Sequence, residues 1–491
     1  MGMVLNTNIG AIQAQRALTE SRKDMEKAME RLSTGKRING AADDAAGLAM
    51  VERMNTQIRG LTMATRNAND GISLIRTVEN ALVEVSGMLQ RMRVLAVQSA
   101  NDTNTVTERA FANNELDQLQ LEISRVSLNT RYNGAQVLNG SFSAKSLQVG
   151  TESGESLSFS IANVESNKLG AFVKVGTLRT AIRSTTANTP LPNGILANGT
   201  LEVSGNGGPW SVIVHGAGST AKTIAKRING VAGATQVSAE ARTYAHLYAT
   251  GTAVNHRISL NGVQTAAFAL TSSDVSDAVQ KINAISATSG IQATATSDYK
   301  ILLSHQTGDD IKLINQSANN DLYLRTVGID GIDLTGSNPI NILQTGNDAN
   351  AGTVAGGIRL TSNNDFTVKD VTSANFFGTT VQAAPLVKIN QVNVLTRISS
   401  TDALAVIDGA IARISSERGS LGTLENRLDY TVSNLMKVTE YTTGARSRVE
   451  DADFAVETSR LAKAQVLQQA AAAMLTQANA STDTVLQLIR G

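Results

Sequence analysis

The stretch AQVLQQAAAAMLTQANAST, residues Ala464–Thr482, decides how the rest of the chain is interpreted. It carries no charged side chain, and its Ala, Leu, Gln and Met residues favour a helix. Its five amides argue against a transmembrane helix, which needs about 20 mostly apolar residues. A helix without a charged face has no means of staying soluble alone. We therefore expect it to be buried against partners, most simply against copies of the same chain.

This helix is predicted to extend on both sides, because Ala445–Arg490 contains neither Gly nor Pro. We interpret the acidic group Glu450, Asp451 and Asp453 as the start of a helix, with Arg446 and Arg448 close enough to form ion pairs. Residues 1–15 also lack charged side chains. Two uncharged ends in one chain predict a shared burial site.

Length and composition limit the kinds of protein that this chain can be. A chain of 491 residues is expected to hold more than one domain, because single cores stop growing at roughly 250–300 residues. The 43 basic and 42 acidic residues give a net charge of +1, so no binding to nucleic acid is expected. The absence of Cys excludes disulfides and thiolate catalysis. The N-terminus has no basic segment before an apolar run, so we expect no secretory signal peptide.

Both halves of the sequence contain amphipathic helices. The first is predicted around Leu18–Leu32 and ends at Ser33-Thr34-Gly35. A longer helix is predicted from Asp43-Asp44 towards Ala100, and Thr105 with Glu108 has the spacing of a capping box for a third. Ile407–Leu435 keeps one heptad frame with Arg418 and Glu425 as polar exceptions. These patterns predict a helical bundle assembled from both chain ends.

The residues between these helices favour β-structure. Asn133-Gly134 and Asn139-Gly140 are hairpin-turn signals, and short strands with Gly and Asn turns continue to about Ser400. A repeat with an offset of 54 residues relates Lys226–Asn229 to Gln280–Asn283. Each copy is predicted to contain a strand or hairpin, a helix (219–229 and 273–283) and a further strand. We therefore predict two repeated α+β modules within about 201–313.

No arrangement of residues predicts catalysis. The four histidines (His215, His246, His256 and His305) have no metal-ligand spacing, so we interpret them as strand or surface residues. Asp309-Asp310 and Asp330–Asp333 lack the spacing of an EF-hand and are interpreted as turn residues. We expect no enzyme, no cofactor and no metal.

Three stretches resemble bacterial flagellin. RLSTGKRIN (Arg31–Asn39) with Ala42–Ala49 resembles the N-terminal signature of that family, and ARSRVEDADF (Ala445–Phe454) with Ala464–Ala470 and Gln477–Asn479 resembles the C-terminal one. The third stretch is QRMRVLAVQSAN (Gln90–Asn101). Together they cover about 140 residues at the front and 90 at the back, in the order found in the family.

The resemblance implies a structural subunit that is exported unfolded by a type III route and polymerises outside the cell into the flagellar filament. It implies termini that order on polymerisation, and as partners the chain itself, an export chaperone, the cap protein and the hook–filament junction proteins. No membrane insertion is expected. The residues expected to carry polymerisation are Leu5, Ile9, Ile12, Val466, Leu467, Ala471, Ala472, Leu475 and Leu486.

Some flagellins are recognised by a Toll-like receptor of the host. The positions of this chain that match the receptor patch are Gln90, Arg91, Arg93, Leu95, Gln98 and Glu115. The chain departs from the well-recognised type at Val94, where an acidic residue is common.

The predicted fold class is α+β multidomain, with a long α-helical coiled-coil bundle built from both chain ends and a β-rich inserted outer region. The expected regions are 1–45 and 447–491 (filament core), 46–140 and 401–446 (long-helix bundle), and 141–400 (outer domains). Two alternatives remain: a hook–filament junction protein, and a filament subunit whose outer domain also binds glycans or surfaces.

Overall fold

The computed structural model describes residues 7–490 except 178, 196–198, 252–253, 319–320, 332–337 and 373–375, and it leaves out the side chains of 254 and 481–490. Its contacts divide the chain into two compact units. The first contains Met1–Arg76, Ala144–Phe159 and Gly422–Gly491, and the second contains Thr77–Ser143 and Ser160–Leu421. Both units draw on segments that are distant in the sequence.

Long helices form the two ends of the chain. The helices are α1 (Ile9–Thr34), α2 (Ala45–Ser99), α3 (Val106–Asn129), α4 (Ala221–Gly230), α5 (Ala232–Thr235), α6 (Ser276–Ala284), α7 (Ser286–Ser289), α8 (Arg397–Glu450) and α9 (Phe454–Arg490). The predicted stop of α1 is confirmed, because Gly35 adopts a left-handed φ of 69° that favours glycine. The predicted capping box of α3 is also confirmed: Thr105 and Glu108 bond each other's backbone N–H groups.

The end of α8 corrects the expectation of one helix over Ala445–Arg490. The helix stops at Glu450, and α9 starts at Phe454 after a non-helical Asp451–Asp453 segment. The Asp453 carboxylate accepts hydrogen bonds from the N–H groups of Ala455 and Val456, at 2.9 and 3.2 Å, and so caps α9. Glu450 therefore lies at the end of a helix and not at the start of one. No Gly or Pro marks this break, which is why the residue pattern did not reveal it.

In the first unit, α2 runs antiparallel to α8. Arg446 of α8 donates to Asn55 of α2 at 2.7 Å, and Glu425 pairs with Arg76 at 2.8 Å. A hairpin of β3 (Lys145–Gln148) and β4 (Ser156–Phe159) packs on α2. Gly71 permits this approach, because a Cβ there would lie only 2.6 Å from the Leu147 side chain.

In the second unit the same two helices are joined by further charge pairs. Arg418 of α8 donates to Glu79 of α2 at 2.8 Å. Arg418 and Glu425 were the polar exceptions in the predicted heptad of α8. Each has an oppositely charged partner on α2 within its own unit, which explains how the helix contact tolerates it.

The β-structure lies mostly in the second unit and is antiparallel throughout the described pairings. Its strands are β1 (Arg131–Tyr132), β2 (Ala135–Gln136), β5 (Gly170–Val175), β6 (Ile182–Arg183), β7 (Gly199–Gly205), β8 (Ser211–His215), β9 (Ser238–Ala249), β10 (Val254–His256), β11 (Ile258–Leu260), β12 (Val263–Gln264), β13 (Phe268–Leu270), β14 (Gln292–Ala295), β15 (Ile301–His305), β16 (Ile311–Asn315), β17 (Leu322–Val327), β18 (Ile340–Ile342), β19 (Ala351–Val354), β20 (Gly357–Ser362), β21 (Phe366–Asp370), β22 (Gln382–Ala383) and β23 (Leu386–Lys388).

The larger sheets of this unit have the strand orders β12-β11-β16-β19-β6, β22-β21-β7-β8 and β14-β15-β9-β20-β5-β23, and β17 and β18 are attached to the last of these through β9. Small β1–β2 and β10–β13 pairs complete the described sheets of this unit.

Matching elements recur at the 54-residue offset of the sequence repeat. Helices α5 and α7 occupy equivalent positions, and both are followed by a left-handed residue, Gln236 or Gly290. In the first copy the Asn229 amide bonds both backbone groups of Ala239. In the second copy Asn283 does the same to Ala293. An amide bridge from helix to strand therefore holds each copy together.

One buried carboxyl group in this unit is unusual. Asp310 lies between β15 and β16, is 8% exposed and accepts a hydrogen bond from the Asn193 amide at 2.9 Å. Burial raises the pKa of Asp310 to about 6, because desolvation disfavours the carboxylate. The sequence indicated an ordinary turn residue at this position, and the structure places a buried, hydrogen-bonded carboxyl group there.

Together these elements confirm the α+β class with long helices from both chain ends and a β-rich region between them.

Candidate assembly surface

Helices α1 and α9 form an antiparallel pair in the first unit. The Asn8 amide donates to the carbonyl of Ala478 at 3.0 Å, and Arg31 pairs with Glu457 at 3.2 Å. The residue number therefore rises along one helix as it falls along the other. The two uncharged ends of the chain meet, as the sequence indicated.

The contact between α1 and α9 follows a heptad pattern. The side chains turned towards the partner recur at alternating steps of three and four residues, as in a coiled coil. On α1 they are Ala11, Ala14, Leu18, Ser21, Met25, Ala28 and Leu32, and on α9 they are Glu457, Leu461, Ala464, Gln468, Ala471, Leu475 and Ala478. We call these fourteen residues the seam. Most of its fully buried positions are Ala or Ser, so little apolar area is buried per residue.

The uncharged parts of the same helices also expose apolar side chains on their outward faces, which are turned away from the seam. Ile9 and Ile12 are 58% and 57% exposed, and Val466 and Met474 are both 64% exposed. Soluble chains rarely expose contiguous apolar surface without a partner for it. The uncharged parts of these helices therefore present uncovered apolar side chains next to a covered seam.

The residues predicted for polymerisation divide between these two surfaces. Ala471, which is 8% exposed, and the half-buried Leu475 lie in the seam and contact α1 of the same chain. The outward group comprises Ile9, Ile12, Val466, Leu467 and Ala472. Leu5 and the side chain of Leu486 lie outside the described residues.

At the end of the seam, two chain segments pair through their backbones. Lys36 and Asp451 form an antiparallel β-bridge, in which Arg37 N–H donates to Glu450 O at 2.6 Å and Ala452 N–H donates to Gly35 O at 2.9 Å. The Lys36 ammonium also pairs with the Glu450 carboxylate, which is 9% exposed. We call the paired segments 35–37 and 450–452 the junction.

A group of charged residues lies at the end of the seam that is next to the junction. Glu457 is 3% exposed and accepts from Arg31 and from Arg460, at 3.2 and 2.8 Å. Arg31 also lies 4.0 Å from Asp43. Hydrogen bonds from the N–H groups of Asn39 and Gly40 lower the pKa of Asp43, and the Arg31 charge adds a smaller contribution.

The sequence pattern indicated Arg446 and Arg448 as partners of the acidic group. Arg446 does lie 3.7 Å from Glu450. The closer partner of Glu450 is Lys36, which is more than four hundred positions away in the chain. Local pattern carries no signal for such a distant pair.

The predicted receptor patch lies on α2 and α3 in the second unit. Arg91 donates two hydrogen bonds to Glu115, at 2.6 and 3.0 Å. These bonds are the main cause of the lowered pKa of Glu115. Arg93 instead bonds Asp408 of α8 at 2.6 Å. Gln90 and Gln98 are exposed. Leu95 differs from the prediction because it is only 2% exposed and belongs to the core, so it offers no accessible surface.

Other kinds of site find no support in the described part of the chain. No cluster of three or more His, Asp or Glu side chains there could hold a metal ion. No helix among those residues combines the length and apolarity needed to cross a membrane. The histidines lie at the ends or within strands, and His215, His246 and His256 are buried, so the surface alternative is wrong for these three.

Comparisons with known proteins agree with the resemblance. Residues 5–143 match the bacterial flagellin N-terminal helical region, and residues 404–489 match the bacterial flagellin C-terminal helical region. The chain is 36% identical to B-type flagellin of Pseudomonas aeruginosa and 31% identical to flagellin B of Vibrio cholerae. Both matches cover 100% of this chain and 100% of the relative.

A solved structure of FliC from Burkholderia pseudomallei is also similar, with 17% identity, a TM-score of 0.31, and coverage of 73% of this chain and 99% of that one. The full-length relatives favour a flagellin over a hook–filament junction protein, a glycan-binding subunit or an enzyme. The chain therefore belongs to the bacterial flagellins, the structural subunits of the flagellar filament.

Proposed function

We propose that this filament subunit polymerises by burying the outward faces of α1 and α9 against other copies of the chain. The supporting observation is an apolar, uncharged surface on a paired helix: Val466 and Met474 are 64% exposed, and no charge lies between Ala464 and Thr482. Complete burial of a Val or Met side chain contributes about 1.5–3 kcal/mol, and most of the surface of these two is still exposed. Repeated along the helices, this burial favours the polymer once the concentration is high enough.

We propose the remaining partners by analogy with other members of the flagellin family. Before assembly, the exposed face of α9 offers an export chaperone an apolar surface, and type III export would deliver the chain to the cell exterior. The cap protein and the hook–filament junction proteins would meet the same helices at the ends of the filament. The regions 1–45 and 447–491 then form the filament core, 46–140 and 401–446 the surrounding helical bundle, and 141–400 the outer domains.

Deleting residues 465–490 tests this proposal. The truncated chain keeps the cores of the second unit but loses most of α9, so we expect a folded monomer that forms no filaments. Electron microscopy of purified protein under assembly conditions, with circular dichroism as the folding control, provides the measurement. Filaments of normal length from the truncated chain would refute the proposal.

A Toll-like receptor of a host is a second candidate partner. The observation that favours it is the exposed pair of Arg91 and Glu115 on neighbouring helices, which presents a fixed arrangement of charges on the helical surface. Gln90 and Gln98 extend that surface along α2. Val94, which is 54% exposed, places an apolar side chain within it.

A further inference from the structure

We propose that the ion pair of Arg31 with Glu457, supported by the junction, sets the register in which α1 aligns with α9. This inference rests on the proposed function, since it concerns the helices that would carry polymerisation. The register matters because it decides which apolar residues of α1 and α9 lie side by side on the outward faces.

The seam alone does not define one register. Small residues recur at intervals of seven on both helices, at Ala14, Ser21 and Ala28 of α1 and at Ala464, Ala471 and Ala478 of α9. Sliding one helix by seven residues therefore brings equivalent seam positions, with side chains of similar size, opposite each other again. Coiled coils resolve such ambiguity with a polar group at a seam position.

Glu457 occupies such a position. It precedes Ala464 by seven residues, and it is the one charged residue among the fourteen described residues of the seam. A slide of seven residues towards the start of α1 would move Glu457 away from Arg31 and place it beside Asp24. In that register the buried Glu457 carboxylate keeps Arg460 but loses Arg31, and losing a cationic partner destabilises a buried carboxylate. Arg460 belongs to the same helix and accompanies Glu457 in every register, so within this ion-pair group Arg31 is the residue that distinguishes the observed register.

The junction holds together the end of the α1–α9 pair that lies next to Arg31 and Glu457. Its two backbone hydrogen bonds join the segment after α1 to the segment before α9. Arg37 adds a side-chain bond to the carbonyl of Val449 at 2.7 Å. The charged groups therefore gather at one end of the pair, and the uncharged seam extends from that end.

The chain has no Cys, so engineered cysteines can report the register without background. A Cβ on Gly10 would lie 3.7 Å from the Cβ of Ala478, within the range of about 3.5–4.5 Å that a disulfide requires. Gly10→Cys with Ala478→Cys therefore reports the observed register. Gly10→Cys with Ala471→Cys reports a register shifted by seven residues, about 10 Å along the helix axis.

Both cysteine pairs are placed in full-length chains with the native Arg31 and Glu457, with Glu457→Ala, with Arg31→Ala and with Arg31→Lys. A small fraction of each chain is assembled with an excess of the wild-type protein and oxidised. Non-reducing electrophoresis and mass spectrometry then measure the cross-links within single chains, in filaments and in the soluble fraction. Glu26→Ala is the matched control, because it breaks the exposed Arg22–Glu26 pair on the same helix.

With the native pair we expect the 10–478 cross-link to dominate. Glu457→Ala and Arg31→Ala should lower the ratio of the 10–478 to the 10–471 cross-link by about tenfold or more. Arg31→Lys and Glu26→Ala should keep most of the native ratio. An unchanged ratio in Glu457→Ala, in whichever fraction contains the chain, would overturn the proposal. So would an equal loss in Arg31→Lys and Arg31→Ala, since the positive charge would then be irrelevant. The ratio does not depend on filament yield, so this result is separate from the truncation test.

Discussion

Replacing Ala471 by Leu should weaken polymerisation through the seam, not through the outward face. Ala471 is 8% exposed and packs against α1, so the larger side chain has no free space. Overpacking of this kind destabilises a packed contact by about 1–3 kcal/mol. Leu has nearly the helix propensity of Ala, so the helix itself is unaffected.

The expected change in critical concentration depends on the step of assembly at which the overpacking costs free energy. If α1 and α9 pair as each subunit enters the filament, the whole cost appears in the free energy of adding a subunit. At 1.4 kcal/mol for each factor of ten, the critical concentration should rise about 5- to 140-fold. Sedimentation of filaments over a concentration series measures this quantity directly.

The matched control is Ala462→Leu, which makes the same change at an exposed position of the same helix that lies between Arg460 and Lys463, outside the uncharged Ala464–Thr482 stretch. We expect a much smaller shift in its critical concentration. Equal shifts for the two variants, or no shift for Ala471→Leu, would show that the seam does not limit assembly.

Two further outcomes concern the second unit. Because Asp310 has a folded-state pKa of about 6 against 3.8 when unfolded, its contribution to stability is present at acidic pH and is lost as the pH rises through about 6. Asp310→Asn should therefore be more stable than wild type above about pH 7, by up to about 3 kcal/mol, in urea unfolding curves; identical curves would contradict the assignment. Arg91→Ala should reduce Toll-like receptor signalling by the monomer, while Arg125→Ala, which breaks the exposed Arg125–Glu122 pair outside the patch, should not. Unchanged signalling by Arg91→Ala would remove the patch from consideration.

Periodicity in the sequence was sufficient to predict the long helices. The apolar spacing of α2 and the heptad of α8 are local signals, and both helices carry the predicted stripes of buried residues. The amide bridges of Asn229 and Asn283 lie within the repeat that the sequence revealed. Local and repeated features of the fold can therefore be recognised from the residue pattern alone.

The junction could not be predicted in the same way. The sequence indicated a loop at Lys36 and a helix start at Glu450, but the contact between them depends on how distant segments fold together. The order of strands around β9 is equally non-local: this strand pairs with β15, β17 and β20, which follow it at very different distances in the chain. The polymerisation residues were selected as one group because sequence alone does not separate a seam facing α1 from a face turned outward.

The alanine-rich seam also has a mechanical consequence. Small side chains allow two helices to approach to the lower end of the usual separation of about 8–10 Å between axes, so the pair is thin. The same small side chains give the isolated pair little cohesive energy of its own. Such a helix pair separates and re-forms easily, and it gains rigidity only when neighbouring pairs enclose it. The stiffness of the finished fibre is therefore a collective property that no single subunit possesses.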